Sequence, residues 1–307
     1  MLHKTLQYWQ HRCFSSSSLR LAMTILVKNE ADIIEDNIRF HAAQGVDCFA
    51  VMDNGSNDGT REILQKLSTE FDLHIIDQPE QNYQQARWMT ELAGYCRDTL
   101  KADMVISNDA DEFWQADENT TLKSYLLKSD SIVTVRRYNM ALDKSVLDTD
   151  FHYSDARLRV KNPILYSSNA QINETAVAML LVKISPKTIV NPYGLIRMKG
   201  GNHRAKHAWR LINSREEPGI SVHHFPIRSF SQFEKNIINR KRLLETTQAK
   251  MGDHYRRWVK IYNDGNLKEE FNRFILSSEE IKLLLKLGIL EQKQLEIKSA
   301  YPSIETN

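Results

Sequence analysis

LAMTILVKNEADIIEDNIRFHAAQGVDCFAVMDNGSNDG, residues 21–59, decides the fold class of this chain. Leu21–Val27 is an apolar run too short for a buried helix, ended by polar Lys28-Asn29-Glu30, and it reads as a strand. Ile33, Ile34, Asn37, Ile38 and His41 then recur near helical spacing. The spacing predicts an amphipathic helix over Ala31–Gln44, with Asn29 as its cap, Asp32 in its first turn and Gly45 as its stop. Cys48–Met52 is a second apolar run, followed by Asp53–Gly59, which is dense in turn residues.

The alternation continues outward. Thr60–Leu67 reads as a helix capped by Asp58 or Thr60, Leu73–Ile76 as a third strand, Gln84–Leu100 as a helix and Met104–Ser107 as a fourth strand. Strands joined by crossover helices imply a mostly parallel sheet, and such sheets bind ligands beyond the carboxyl ends of their strands. Three polar clusters fall at that rim: Lys28–Glu30, Asp53–Asp58 and Asp109–Asp111. Residues 143–202 are less regular, with β-like runs at Val177–Ile184 and Thr188–Val190 and another just before at Ile132–Arg137. From Ser231 the pattern is helical, including Leu267–Leu276 and Ile281–Leu290. The expected organisation is a lead-in over 1–20, an α/β domain over 21–235 and a helical region over 236–307.

Composition removes several classes of function. The 41 basic and 39 acidic residues leave a net charge of +2, which carries no nucleic-acid signal. The longest apolar runs, such as Ala176–Val182, fall far short of a membrane span. Cys13, Cys48 and Cys96 are odd in number and widely spaced. They fit a reducing compartment, not a disulfide framework or a structural zinc site. A cytoplasmic location is expected, with at most peripheral contact at the inner face of a membrane. His3, Lys4, His11, Arg12 and the run Ser15–Ser18 are faintly like a transit peptide, but a short helical or irregular lead-in is the preferred reading.

The rim carries the chemistry. Asp109 and Asp111 are two carboxylates one residue apart at a strand-to-loop transition, able to turn toward one hard cation. Mg²⁺ or Mn²⁺ prefers oxygen ligands and keeps phosphates in its shell, which would neutralise a diphosphate leaving group. Gly55 and Gly59 allow close approach of a ligand to the Asp53–Thr60 loop, although Asp58 itself reads as a helix cap.

Within Met23–Leu64, VKNEADIIEDNI and then VMDNGSNDGTREI resemble the start of a family 2 glycosyltransferase. Asn108–Trp114, NDADEFW, is similar to the DxD segment of related nucleotide-sugar transferases of the GT-A fold. His224–Lys235, HFPIRSFSQFEK, resembles a C-terminal segment of such bacterial enzymes. The resemblance implies a GT-A-like, Rossmann-type α/β fold whose mostly parallel sheet is flanked by helices, with a helical C-terminal extension. It implies that Asp53 contacts the nucleotide base and that Lys28, Asn29 and Glu30 line the same pocket. Arg87 falls on the nucleotide side, Asp109 on the ribose or the metal-bound phosphate, and Asp111 is the main metal ligand, with Mn²⁺ or Mg²⁺ as the ion. Asn54 replaces an aspartate common in the family, which puts one donor contact in question. Gln84-Gln85-Ala86-Arg87-Trp88 spells a QxxRW signature of processive synthases, but here it precedes the DxD and is set aside.

A GT-A site is often completed by a C-terminal histidine, so His203 is a candidate on the donor side and His224 on the metal. Arg228 and Lys235 could meet a diphosphate. Glu217, Glu174 and Glu112 are the candidate carboxylates for deprotonating an acceptor hydroxyl, with Glu217 favoured because it shortly precedes His223-His224. Trp88, Trp114, Tyr138 and Trp209 could stack on sugars, although a core role is commoner for such residues. The implied function is metal-dependent, inverting transfer from a nucleotide-sugar, a UDP-sugar first among them, to a carbohydrate or lipid-linked acceptor in surface polysaccharide or glycan synthesis. The alternatives are a nucleotide-sugar-binding module without turnover and a sugar nucleotidyltransferase.

Overall fold

The computed structural model describes residues 2–14, 18–80, 84–165, 179–200, 202–209, 213–246, 253–295 and 297. The chain opens with helix α1 (Leu2–Phe14), which is the helical lead-in. Tyr8 of α1 is buried and donates from its hydroxyl to the carbonyl of Ser129, while His11 meets Asp103 at 2.5 Å. Then follow β1 (Leu21–Val27), α2 (Ile34–Ala43), β2 (Cys48–Asp53), α3 (Thr60–Leu67), β3 (Leu73–Asp77), α4 (Gln85–Asp98) and β4 (Met104–Asp109). The four strands are parallel in the order β4-β1-β2-β3. Leu21, Met23, Ile25 and Val27 pack with Ile34, Ile38, Leu64 and Leu67. Ala22 of β1 joins Cys48, Ala50 and Met52 against Trp88, Met89, Leu92 and Cys96 of α4. Strands covered on both faces must be apolar throughout, which is why these runs do not alternate with polar residues. Cys48 and Cys96 are buried free thiols, and burial pushes Cys48 up to about 11.

Beyond β4 the sheet changes character. β5 (Glu112–Ala116), β6 (Ile132–Asp143), β7 (Leu158–Val160), β8 (Lys187–Val190) and β11 (Ser214–His224) extend it, while β9 (Leu195–Lys199) and β10 (Arg204–His207) form a separate antiparallel pair. β8 runs antiparallel between β4 and β6, and β11 runs parallel to β6 and antiparallel to β5. The chain ends with α5 (Phe230–Thr246), α6 (Asp253–Asn263), α7 (Leu267–Asn272), β12 (Ile275–Leu276), α8 (Ser278–Lys286) and β13 (Leu290–Gln292). Phe233, Ile237, Trp258, Phe271 and Phe274 share a core with Leu142, Val146 and Ile227, so the C-terminal helices pack on the far end of β6.

The expected α/β class is present, and several element boundaries differ. The helix expected over Ala31–Gln44 begins only at Ile34, because residues 31–33 form a turn and Asn29 is engaged elsewhere. The helix expected over Leu267–Leu276 ends at Asn272, and Ile275–Leu276 pairs with Leu142 and Asp143 instead. Leu290 likewise leaves the expected Ile281–Leu290 helix to pair with Val160. Of the β-like run Val177–Ile184, residues 177 and 178 lie outside the described residues, and Met179–Leu181 forms a 3-10 turn.

Candidate active site

Strand register brings the acidic clusters to one rim. Asp109 lies opposite Leu26 of β1 and Asp53 lies opposite Val27, so the two carboxylates flank β1 at its carboxyl end. Two strand spacings separate their backbones by about 10 Å. Asp53 is 6% exposed. Its Oδ1 accepts from the Ser56 amide at 2.9 Å, and Arg61 approaches Oδ2 at 3.6 Å. Asn29 sits at φ 61°, a left-handed position that asparagine tolerates. Its Oδ1 accepts from the Asn57 amide at 2.8 Å, so it braces the second loop and does not cap α2. Asn54 donates from Nδ2 to the carbonyls of Gln78 and Glu80 at 2.8 and 2.7 Å. An aspartate could not donate there, which gives a local reason for asparagine. Asp58 accepts from the Ala31 and Thr60 amides at 3.1 and 3.0 Å and is structural. Lys28 is exposed beside these loops.

The DxD turn is fixed from below by a buried polar scaffold. Asn37 of α2, fully buried, donates from Nδ2 to the carbonyls of Ala110 and Glu112 at 2.8 and 2.9 Å. Asn108 donates to Asn37 Oδ1 at 3.1 Å and accepts from the Trp114 indole at 2.9 Å. His41 Nδ1 bonds the Asn37 carbonyl at 2.7 Å and its Nε2 accepts from the Trp114 amide at 2.9 Å, which assigns the proton to Nδ1. From above, the Phe225 amide donates to the Asp111 carbonyl at 2.8 Å.

The side chains on this turn have unequal surroundings. Asp109 Oδ2 receives Lys187 Nζ at 2.6 Å, and Oδ1 receives Asn202 Nδ2 at 2.8 Å and Gln85 Nε2 at 3.3 Å. Glu112, fully buried, is paired with Lys187 at 2.8 Å and with Arg137 at 2.6 Å. Burial pushes the Glu112 carboxyl up, but the two cations outweigh it and hold it below the ordinary range. Asp111 is met only by His224 Nε2, at 3.4 Å, among the described residues. Burial likewise pushes Asp111 up, and His224 and Arg228 bring it below its ordinary value.

His224 is oriented for ligation. Its Nδ1 bonds Asn139 Oδ1 at 2.7 Å, and Asn139 Nδ2 in turn donates to the Leu180 carbonyl at 2.9 Å. Asn139 therefore presents an acceptor that fixes a proton on His224 Nδ1, and Nε2 faces Asp111, donating to it when protonated and offering a lone pair to a cation when not. Ligand atoms of Asp111, Glu112 and His224 lie within 4.8 Å of one another. Glu112 is already saturated by two cations and has no exposed surface, so Asp111 and His224 are the pair that fits a divalent cation. A carboxylate and an imidazole leave the remaining positions to phosphate oxygens and water.

The other expected residues divide. Arg228, 5% exposed, reaches from the segment after β11 to Asp32 at 2.7 and 2.9 Å and to Glu30 at 2.8 Å, tying the C-terminal half to the first loop. Burial raises Glu30 to about 7 against the pull of Arg228. His203 is half-buried beside the cluster, where burial and then Lys187 and Arg137 lower it to about 4 and keep it neutral. Arg87 is exposed and paired with Glu91 at 2.8 Å, so it faces the outside of α4. Lys235 is exposed on α5. Trp88 and Trp114 are core residues.

The expected base Glu217 is not at this site. It bonds Arg215 and the Gly219 amide at the far end of β11 from His224. The intervening stretch of strand spans roughly 20 Å, so nearness in sequence becomes distance in space. Glu112 is also unsuited to be a base, because two cations stabilise its charged form. Glu174 lies outside the described residues. Lys187, Arg137, Asn202, Asn139, Gln85 and Asn37 were not anticipated as site residues. Asn37 and His41 had left a signal as polar residues on an apolar helix face, and Asn202 as the neighbour of His203.

A family model described as Glycosyl transferase family 2 matches residues 24–181, just over half of the chain. Among solved structures, S. aureus TarS 1-349 aligns at 12% identity with a TM-score of 0.40, covering 83% of this chain and 71% of that one. TarS 1-349 in complex with UDP-GlcNAc aligns at 10% identity with a TM-score of 0.40, covering 83% and 72%. A comparison with curated protein sequences finds no match.

Proposed function

Because the chain belongs to glycosyl transferase family 2, we propose that it transfers a sugar from a nucleoside diphosphate donor to an acceptor hydroxyl, with a divalent cation held by Asp111 and His224. The observation that carries this reading is the open pair made by the Asp111 carboxylate and His224 Nε2 at the carboxyl rim of the sheet. A bound Mn²⁺ or Mg²⁺ would supply positive charge against the diphosphate as it departs.

The protein's own groups have distinct parts in this scheme. Asp53, at the end of β2, accepts from the base or ribose of the donor, beside the loop of Lys28, Asn29 and Glu30. Asp109 keeps a partly exposed edge toward the cleft and accepts from a donor hydroxyl. His203, neutral and next to Lys187, donates to a phosphate oxygen. Arg228 holds Glu30 and Asp32 in place on the donor side. Glu174 is the remaining candidate base, since Glu112 is locked by cations and Glu217 stands at the wrong end of β11. A carboxylate base and in-line attack would invert the anomeric centre. A UDP-sugar is the first donor to try, with a carbohydrate or lipid-linked hydroxyl of a surface polysaccharide or glycan as acceptor. No helix of the described residues is long and apolar enough to cross a membrane, so contact with a lipid-linked acceptor would be peripheral.

The test is release of nucleoside diphosphate from a panel of nucleotide-sugars with Mn²⁺, Mg²⁺ or EDTA. Slow hydrolysis by the wild type should stop with EDTA, and in Asp111→Asn it should fall by at least about 100-fold, the scale of losing one group that stabilises a transition-state charge. Binding of nucleotide-sugar without release under any condition would favour a module that only holds its ligand. Equal hydrolysis with EDTA would remove the cation from the scheme.

A further inference from the structure

We propose that Lys187 is an internal counter-ion that holds Asp109 in its donor-side role and keeps it off the cation. The proposal rests on the reading of Asp111 and His224 as the cation site. Lys187 is fully buried, and a buried ammonium is tolerated only when paired and hydrogen-bonded. Its three donors match three acceptors: Asp109 Oδ2 at 2.6 Å, Asn202 Oδ1 at 2.6 Å and Glu112 Oε2 at 2.8 Å. Asp109 Oδ1 meanwhile takes Asn202 and Gln85. Three of the roughly four acceptor positions of the Asp109 carboxylate are thus in use before any ligand arrives.

Charge balance supports the same assignment. Asp109 and Glu112 are neutralised by Lys187 and Arg137, whereas Asp111 has no Lys or Arg partner within ion-pair distance among the described residues. A cation attracted to the rim therefore meets at Asp111 a carboxylate offset only by His224 and the more distant Arg228. Recruiting Asp109 would take one of three acceptors from a fully buried ammonium and leave its third donor unmet, which costs more than leaving the pair intact. Lys187 is a positioning residue in this account. It acts through Asp109, holding its carboxylate as a hydrogen-bond acceptor at the edge of the cleft.

The experiment is titration of the full chain with Mn²⁺ alone, by calorimetry and by electron paramagnetic resonance of free Mn²⁺, with melting temperatures as a check on folding. Asp111→Asn should weaken Mn²⁺ by at least about 30-fold, while Asp109→Asn should stay within about threefold of wild type. Lys187→Met, which leaves Asp109 unpaired, should tighten Mn²⁺ by about fivefold or more, and Lys187→Met combined with Asp109→Asn should lose that gain, the signature of a coupled pair. A merely structural lysine would not strengthen the binding of a metal. Should Lys187→Met fail to fold, Lys187→Gln, which keeps a hydrogen-bond donor without the charge, carries the same expectation. Equal weakening by Asp109→Asn and Asp111→Asn, or unchanged Mn²⁺ affinity in the folded lysine variant, would overturn the proposal while leaving the cation site standing. Failure of the wild type to bind Mn²⁺ at millimolar concentration would overturn the site and the proposal together.

Discussion

At the scale of single residues, the charge state of a carboxylate here follows from which cations surround it. Glu112 is a glutamate beside the DxD, yet Lys187 and Arg137 hold it ionised and occupied. Asp111, one residue earlier, keeps its carboxylate open to His224 and to the cleft. Glu217 is fully engaged by Arg215 and the Gly219 amide far from both. Glu217→Gln should accordingly leave the turnover rate within about twofold of wild type and lower stability by about 1 kcal/mol or less, the value of a partly exposed ion pair. A steady-state rate reduced a hundredfold, with an unchanged melting curve, would put Glu217 back among the catalytic groups. The same logic explains Asn54, whose amide serves two backbone carbonyls that a carboxylate would repel.

Elements decide which of two neighbouring residues reaches the site. Along β11, successive side chains point to opposite faces. His224 lies opposite Glu112 and Asn139, on the face of the charge cluster, whereas His223 lies opposite Phe113 and Tyr138 and is fully buried. Helix α2 has a comparable double role: Ile34 and Ile38 pack on the sheet while Asn37 holds the carbonyls on either side of Asp111. Asn37→Ala would strip the buried Ala110 carbonyl of its side-chain donor and leave the Glu112 carbonyl with only the longer bond from Asn108 at 3.2 Å. Stability should drop by about 1–3 kcal/mol, the cost of one unsatisfied buried group. Mn²⁺ affinity should drop with it, as the turn carrying Asp111 loses its support. Denaturant unfolding and Mn²⁺ titration of the same preparation check both effects. A loss of stability with unaltered Mn²⁺ affinity would mean that the turn is held well enough by Phe225 and Asn108 alone.

The molecule as a whole buries titratable groups in opposite senses, and the balance sets its response to acid. Burial lowers His41 and His223 from 6.5 to about 3 and His203 and His207 to about 4. The unfolded chain takes up these protons below pH 6.5 and the folded chain does not, so each histidine costs stability as the pH falls through that window. Glu30 has the contrary sign, since burial raises it from 4.5 to about 7 and the folded form gains a proton first. With four groups against one between pH 6.5 and 4.5, the net loss is roughly 4 kcal/mol per pH unit, at about 1.4 kcal/mol per group and unit. The melting temperature should therefore fall steeply between pH 7 and pH 5. A melting temperature that is flat or rises over that interval would contradict the burial of these histidines as neutral groups.

The apolar runs at Leu21–Val27, Cys48–Met52 and Met104–Ser107, and the helices between them, were legible because periodicity and turn chemistry act over a few residues. They were enough to establish an α/β chain with Asp53, Asp109 and Asp111 at one rim. The C-terminal boundaries were not legible in the same way, because Ile275, Leu276 and Leu290 pair with strands far back in the chain and tertiary pairing overrode their local pattern. Only the tertiary structure could bring Lys187 from β8, Arg137 from β6 and Asn202 from the turn before β10 to the two carboxylates near the end of β4. Electrostatic partnership depends on distance in space, and a sequence shows which residues are charged without showing which charges meet.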